Sequence, residues 1–129
     1  MQELYYKYWG KARKRDDGGY DYHLLPYHCL DVAAVGWHLL KPESPRCKDI
    51  AKQLEISPEL VQCLFTLTLM LHDIGKFSHR FQGLIQEIFI KYFPGIKAGT
   101  YMERHDTLGF GLWRGERKND HRSISYLLN

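Results

Sequence analysis

His72-Asp73-Ile74-Gly75-Lys76 follows the apolar run from Leu64 to Leu71, so an imidazole and a carboxylate stand side by side at the end of an apolar segment. Burying such a pair is costly unless something compensates it, and a divalent cation does so efficiently. Upstream, His28 and Asp31 form H-x-x-D, a spacing that puts both on one helical face. Downstream, His105-Asp106 opens a further helical segment. Lys76 lies four residues beyond His72, where a continued helical turn carries its ammonium over the same face and towards a phosphate. Mixed imidazole and carboxylate ligands suit manganese, iron, cobalt, nickel or zinc rather than calcium. A carboxylate bridging two ions about 3.5–4 Å apart makes a clamp for both oxygens of phosphodiester cleavage, and metal-bound water serves as the nucleophile.

The other histidines sort by distance. His38 follows His28 by ten residues, about 15 Å along a helix axis, too far to share one ion, and reads as structural. His79 is nearly two turns from His72 and reads as a surface residue. His23, just before the first helix, reads as a group that orients a ligand, as does Asp31 when it does not itself bind metal. His121 sits in the polar stretch Arg117 to Arg122, where solvent exposure is the default.

Helices are expected to position these groups. The segment from Tyr5 to Tyr22 is irregular, broken by Gly10 and by Gly18-Gly19. Pro26 suits a first helical turn, and a helix follows from Tyr27 to Leu40 with Leu30, Ala33, Ala34, Trp37 and Leu40 at helical spacing; Pro42 and Pro45 end it. A weaker helix covers Lys48 to Leu54. Ser57-Pro58-Glu59 starts the next, which runs to about Asp73 and is apolar on most sides, hence central. Ser78 caps a helix to about Tyr92, ended by Pro94-Gly95, and a last helix spans Glu103 to Trp113. Nothing alternates with period two over a convincing length, so the expected fold class is all-α.

The 129 residues, 44% hydrophobic and 26% charged, describe one soluble globular domain rather than a disordered chain. No apolar stretch reaches the roughly 18 residues of a membrane span, and no basic-then-apolar leader opens the chain. Cys29, Cys47 and Cys63 never form C-x-x-C; Cys29 and Cys63 read as reduced core residues, and a cytoplasmic location without membrane contact is expected. The net charge of +3 is concentrated in Lys7, Lys11, Arg13, Lys14 and Arg15, interleaved with Tyr5, Tyr6, Tyr8 and Trp9. Such a mixture tracks phosphates and stacks bases, or else forms a solvated basic loop before the turn Asp16 to Gly19.

Several stretches in one order carry a resemblance: Tyr8-Trp9-Gly10-Lys11, His23 through Val35, Leu71 through Gln82, and Arg104-His105 leading to Gly109-Phe110-Gly111-Leu112-Trp113. The sequence resembles the HD superfamily of metal-dependent phosphohydrolases, and more narrowly the HD nuclease domain of the type I CRISPR-associated nuclease-helicase. The resemblance implies an HD-type helical bundle that cleaves single-stranded DNA in antiviral defence. Its partners would be the helicase and the guide-RNA surveillance complex. It implies one or two manganese, iron, cobalt or nickel ions, with His28 and Asp73 ligating one, His72 contributing and His105 serving the second. Asp73 and Lys76 become the catalytic residues, Lys76 on the scissile phosphate; Lys11, in the basic cluster, is a candidate substrate contact. The family pattern's later His-His pair and late aspartate have no counterpart; Asp120 and the polar tail 114–129 depart from it. Residues 1–129 therefore read as the N-terminal part of such a domain, with weakened metal affinity and uncovered apolar faces that favour a partner or copies of the chain itself. The alternatives are an incomplete module acting by binding the helicase or surveillance complex, and a nucleotide phosphohydrolase.

Overall fold

The computed structural model describes residues 4–114. The chain divides into two compact units, one formed by Tyr27–His72 and the other by the segments on either side.

In the flanking unit a 3₁₀ turn at Leu4–Lys7 leads into strand β1 (Trp9–Lys14), which pairs antiparallel with β2 (Tyr20–Leu24). Gly18, at φ 85°, supplies the left-handed position in the connecting turn, and Asp17 Oδ1 accepts the Gly19 N–H at 2.9 Å. This hairpin replaces the irregular start expected from sequence. Alternation is present, with Ala12, Tyr20 and Tyr22 packed on the core, but the ladder shifts register between Trp9 and Lys11 and so masks the period. The other regular elements of the described chain are all helices, and the fold class is all-α with this small hairpin.

Trp9, Phe81 and Ile88 form the centre of this unit, flanked by Ile85, Tyr92 and Tyr101. The single helix expected from Ser78 to Tyr92 is two, α4 (His79–Gln82) and α5 (Gln86–Tyr92) once the intervening helices of the other unit are counted. Gly83 and Leu84 turn back on His79 and Phe81, and Ile85, in extended conformation, drops into the core. His79 is not a surface residue: it is buried, with the rings of Phe93 and Phe89 at 4.7 and 5.8 Å. Tyr8 and Trp9 are buried too, so neither is a base-stacking surface.

The Tyr27–His72 unit holds most of α1 (Leu25–Leu39), with α2 (Pro45–Leu54) and α3 (Pro58–Leu71). Ser44 and Ser57 cap α2 and α3, accepting the N–H of Cys47 and of Leu60 at 3.2 Å, each with a proline in the first turn. Pro45 thus begins α2, three residues ahead of the expected start, rather than ending α1. The core is Leu40, Cys47, Ala51 and Val61, with Ile50 and Ile56. Cys47 donates its S–H to the Pro58 carbonyl at 3.2 Å, whereas Cys63, expected inside, is exposed.

The buried stripe of α1 is Cys29, Ala33 and Gly36, continuing to Leu40; Leu30, Ala34 and Trp37 face outward, one position off the expected face. Helix α3 is not a buried central helix here: only Val61 and Gln62 are buried, while Leu60, Leu64 and Leu67 are exposed. The helical stretch Pro58–Phe77 has the length and composition of a membrane span, which the sequence was not expected to contain. Its α-helical part stops at Leu71, about 21 Å of rise against a core of about 30 Å, and Asp73 and Lys76 follow at once.

Candidate metal centre

In the Tyr27–His72 unit, His28 in the first turns of α1 and His72 at the C-terminus of α3 lie with ring centroids 5.7 Å apart, steeply inclined at 63°. His72 Nδ1 is hydrogen-bonded to the Leu69 carbonyl. A carbonyl only accepts, so the proton sits on Nδ1 and the ring lone pair on Nε2, the arrangement that second-partner hydrogen bonds give to metal-binding histidines. Two imidazoles at this centroid spacing are compatible with metal–nitrogen bonds of about 2.0–2.1 Å to one ion.

The next residue, Asp73, belongs to the other unit and is buried. Its Oδ2 is 2.6 Å from Lys76 Nζ and its Oδ1 is 3.2 Å from His105 Nε2. Lys76 stands on the 3₁₀ turn Ile74–Phe77, whose tightness folds its side chain back over Asp73. The same ammonium donates to the Gly10 carbonyl at 3.1 Å and lies 5.5 Å from the centre of the Phe81 ring. Lys76 therefore points inward, its side chain 13% exposed, rather than out to the phosphate position the helical spacing suggested.

His105 is the first residue of α6 (His105–Arg114). Its backbone N–H donates to the Tyr101 hydroxyl at 2.8 Å, and the same hydroxyl is 3.4 Å from its Nδ1. Glycine on both surfaces sets the approach of α6 to the 3₁₀ turn. A Cβ on Gly75 would lie 1.9 Å from the His105 carbonyl oxygen and 2.8 Å from the Gly109 nitrogen, and one on Gly109 would meet Ile74 at 3.0 Å. Asp106, beside His105, turns instead to Arg104 at 3.0 Å.

The residues of the sequence motif thus fall into two groups, His28 with His72 and Asp73 with Lys76 and His105, joined through the His72–Asp73 peptide bond. Asp31 is exposed on α1; His38 is exposed in its last turn; His23 and Lys11 are exposed and opposed on the hairpin. Asp120, His121 and all but the first residue of the 114–129 tail lie outside the described residues. Two groups had no assigned role in the sequence: Tyr101, and Gln82, which is fully buried between Trp9 and Lys76. The Phe81-Gln82 pair did mark the resemblance, which was the available signal for Gln82.

Paired imidazoles with one tautomer fixed, followed directly by a buried carboxylate, fit a divalent transition metal on a helical chain. The family model for "Cas3, HD domain" matches residues 9–128, and the chain belongs to that family. It is similar to the CRISPR-associated endonuclease/helicase Cas3 of Escherichia coli (strain K12), 39% identical over 87 residues that make up 67% of this chain and 10% of that protein. The chain thus spans a small part of the length of this relative. No solved structure matches.

Proposed function

We propose that this chain is a metal-dependent phosphodiesterase that cleaves single-stranded DNA in CRISPR-based antiviral defence, in the cytoplasm, beside a helicase and a guide-RNA surveillance complex. The ligands are His28, His72 and Asp73, with His105 beside Asp73, and the ion is manganese, iron, cobalt or nickel. The observation that carries this reading is the preset His28–His72 pair followed in the chain by the buried Asp73 carboxylate. When bound, the metal supplies Lewis acidity and an activated water at neutral pH. The chain's own part is positional. Leu69 holds the His72 tautomer, Lys76 and His105 hold the two oxygens of Asp73, and the glycine contact at Gly75 and Gly109 keeps His105 at that carboxylate.

A second reading, a module that acts by binding the helicase or surveillance complex, draws on the exposed apolar side chains Leu60, Leu64 and Leu67 of α3 and Leu30 and Trp37 of α1. A second copy of the chain would cover the same surface. The test combines metal content with cleavage assays on labelled single-stranded DNA, with manganese, cobalt and nickel supplied in turn. Cleavage that chelator abolishes and that Asp73→Asn or His72→Ala removes supports the nuclease. Retained cleavage in those variants overturns it. Inert DNA together with tight association with the complex favours the second reading, and phosphate release from nucleotides favours a nucleotide phosphohydrolase.

A further inference from the structure

The β1–β2 hairpin presents one face to its core and another to solvent. Tyr20, Tyr22 and Ala12 pack inward, while Lys11, Arg13, Asp21 and His23 are exposed on the other side, with Lys11 opposite His23 and Arg13 opposite Asp21. Lys11 and Arg13 are two residues apart on one strand, about 7 Å by strand rise, close to the spacing of successive phosphates in an extended nucleic-acid strand. Asp21, the acid on this face, is engaged by Arg15 at 3.6 Å, which also holds Asp17 at 3.2 Å. Among the described residues neither Lys11 nor Arg13 forms an ion pair.

The strand that carries this face is tied to the turn that carries the carboxylate. The carbonyl of Gly10, the residue before Lys11, accepts from the ammonium of Lys76, whose other partner is Asp73. Gln82 bonds both backbone groups of Trp9, so the start of β1 is fixed to the same turn. With the hairpin tyrosines turned inward, the face offers charge rather than stacking, which suits phosphate contacts without base selection.

We propose that the outer face of the β1–β2 hairpin, through Lys11 and Arg13, is a phosphate-binding track for the single-stranded nucleic acid, an inference that rests on the phosphodiesterase reading. The test is fluorescence anisotropy of a labelled oligothymidylate across a salt series, with the wild type, Lys11→Ala/Arg13→Ala, and the control Lys48→Ala/Lys52→Ala on α2. Removing two phosphate contacts is expected to flatten the log–log salt dependence by about 1.4 and to weaken binding about tenfold at low salt. Metal content, measured in parallel, is expected to be unchanged. A wild type that does not bind, hairpin variants with wild-type slope and affinity, or a control that loses as much would each overturn the track. Binding with the expected slope change but no cleavage under any metal would leave the track standing and remove the nuclease reading. Cleavage with an unchanged slope does the reverse.

Discussion

Gln82 bonds both backbone polar groups of Trp9: its Oε1 accepts the Trp9 N–H at 3.0 Å and its Nε2 donates to the Trp9 carbonyl at 2.9 Å. The second Nε2 hydrogen goes to the Lys76 carbonyl at 2.8 Å, and the Trp9 indole returns a bond to the Gln82 carbonyl at 3.3 Å. A buried side-chain amide here plays the part of a neighbouring strand, tying the hairpin to the turn that carries Lys76. Gln82→Glu keeps the acceptor and loses both donors, bringing a carboxylate against two carbonyls. The expected cost is about 3 kcal/mol in urea unfolding, more than a single lost hydrogen bond. A wild-type midpoint in that variant would show that the bracket contributes nothing.

Gly75→Ala should separate the two partners of Asp73. The new Cβ cannot coexist with the His105 carbonyl at 1.9 Å, so α6 must lift and carry His105 away while Lys76 stays on its turn. Overpacking of this kind costs about 1–3 kcal/mol. The informative readout is manganese titration of the folded variant, in which affinity falls, set against Gly111→Ala on the same helix. A Cβ at Gly111 meets nothing within 4 Å, so that variant should titrate like the wild type. Equal affinities for all three proteins would detach the glycine contact from the site.

Lys76 and Asp73 form a nearly buried ion pair, 13% and 4% exposed at the side chain. Lys76→Met removes the cation, leaves the carboxylate with His105, and strands the Gly10 carbonyl. Breaking such a pair from one side costs about 3–5 kcal/mol. Adding Asp73→Asn should recover part of this loss, because the buried charge that lost its lysine disappears. A double-mutant cycle by chemical denaturation measures the coupling, and strictly additive losses would mean that the two groups do not support one another.

Helix starts were more legible than helix packing. Ser44-Pro45 and Ser57-Pro58 are local signals, a cap followed by a proline, and α2 and α3 do begin there; the first was missed because Pro45 also looks like a helix stop. Helices α1 and α3 are apolar on nearly every side, so periodicity cannot say which stripe is buried, and the structure buries the stripe of Cys29 and Ala33 rather than that of Leu30 and Trp37. The hairpin escaped because its register shift at Gly10 breaks the alternation. The candidates His28, His72, Asp73, Lys76 and His105 stand out by type and spacing, and the structure groups them as His28 with His72 and Asp73 with Lys76 and His105. The inward turn of Lys76 was not legible, since its second acceptor is a backbone carbonyl on a distant strand, a contact no side-chain pattern encodes. Tyr101 gave no signal for the same reason: it serves a backbone N–H.

His79 gives the protein an acid-sensitive point away from the metal ligands. Burial against Phe89 and Phe93 lowers its pKa below the ordinary histidine value, and its Nδ1 has no hydrogen-bond partner among the described residues. In the unfolded chain the group titrates near the usual value of about 6.5. Below that pH the unfolded state therefore binds the proton more readily than the folded state, and stability falls as pH drops. The contribution is complete above about 6.5 and is lost as the pH passes down through the lowered folded value. His79→Phe keeps an aromatic ring in the pocket and removes the titration. Its unfolding free energy, measured by urea denaturation at a series of pH values, should lose less than the wild type between neutrality and the onset of carboxylate protonation. Parallel curves for the two proteins over that interval would mean that protonation of His79 is not what destabilises the fold.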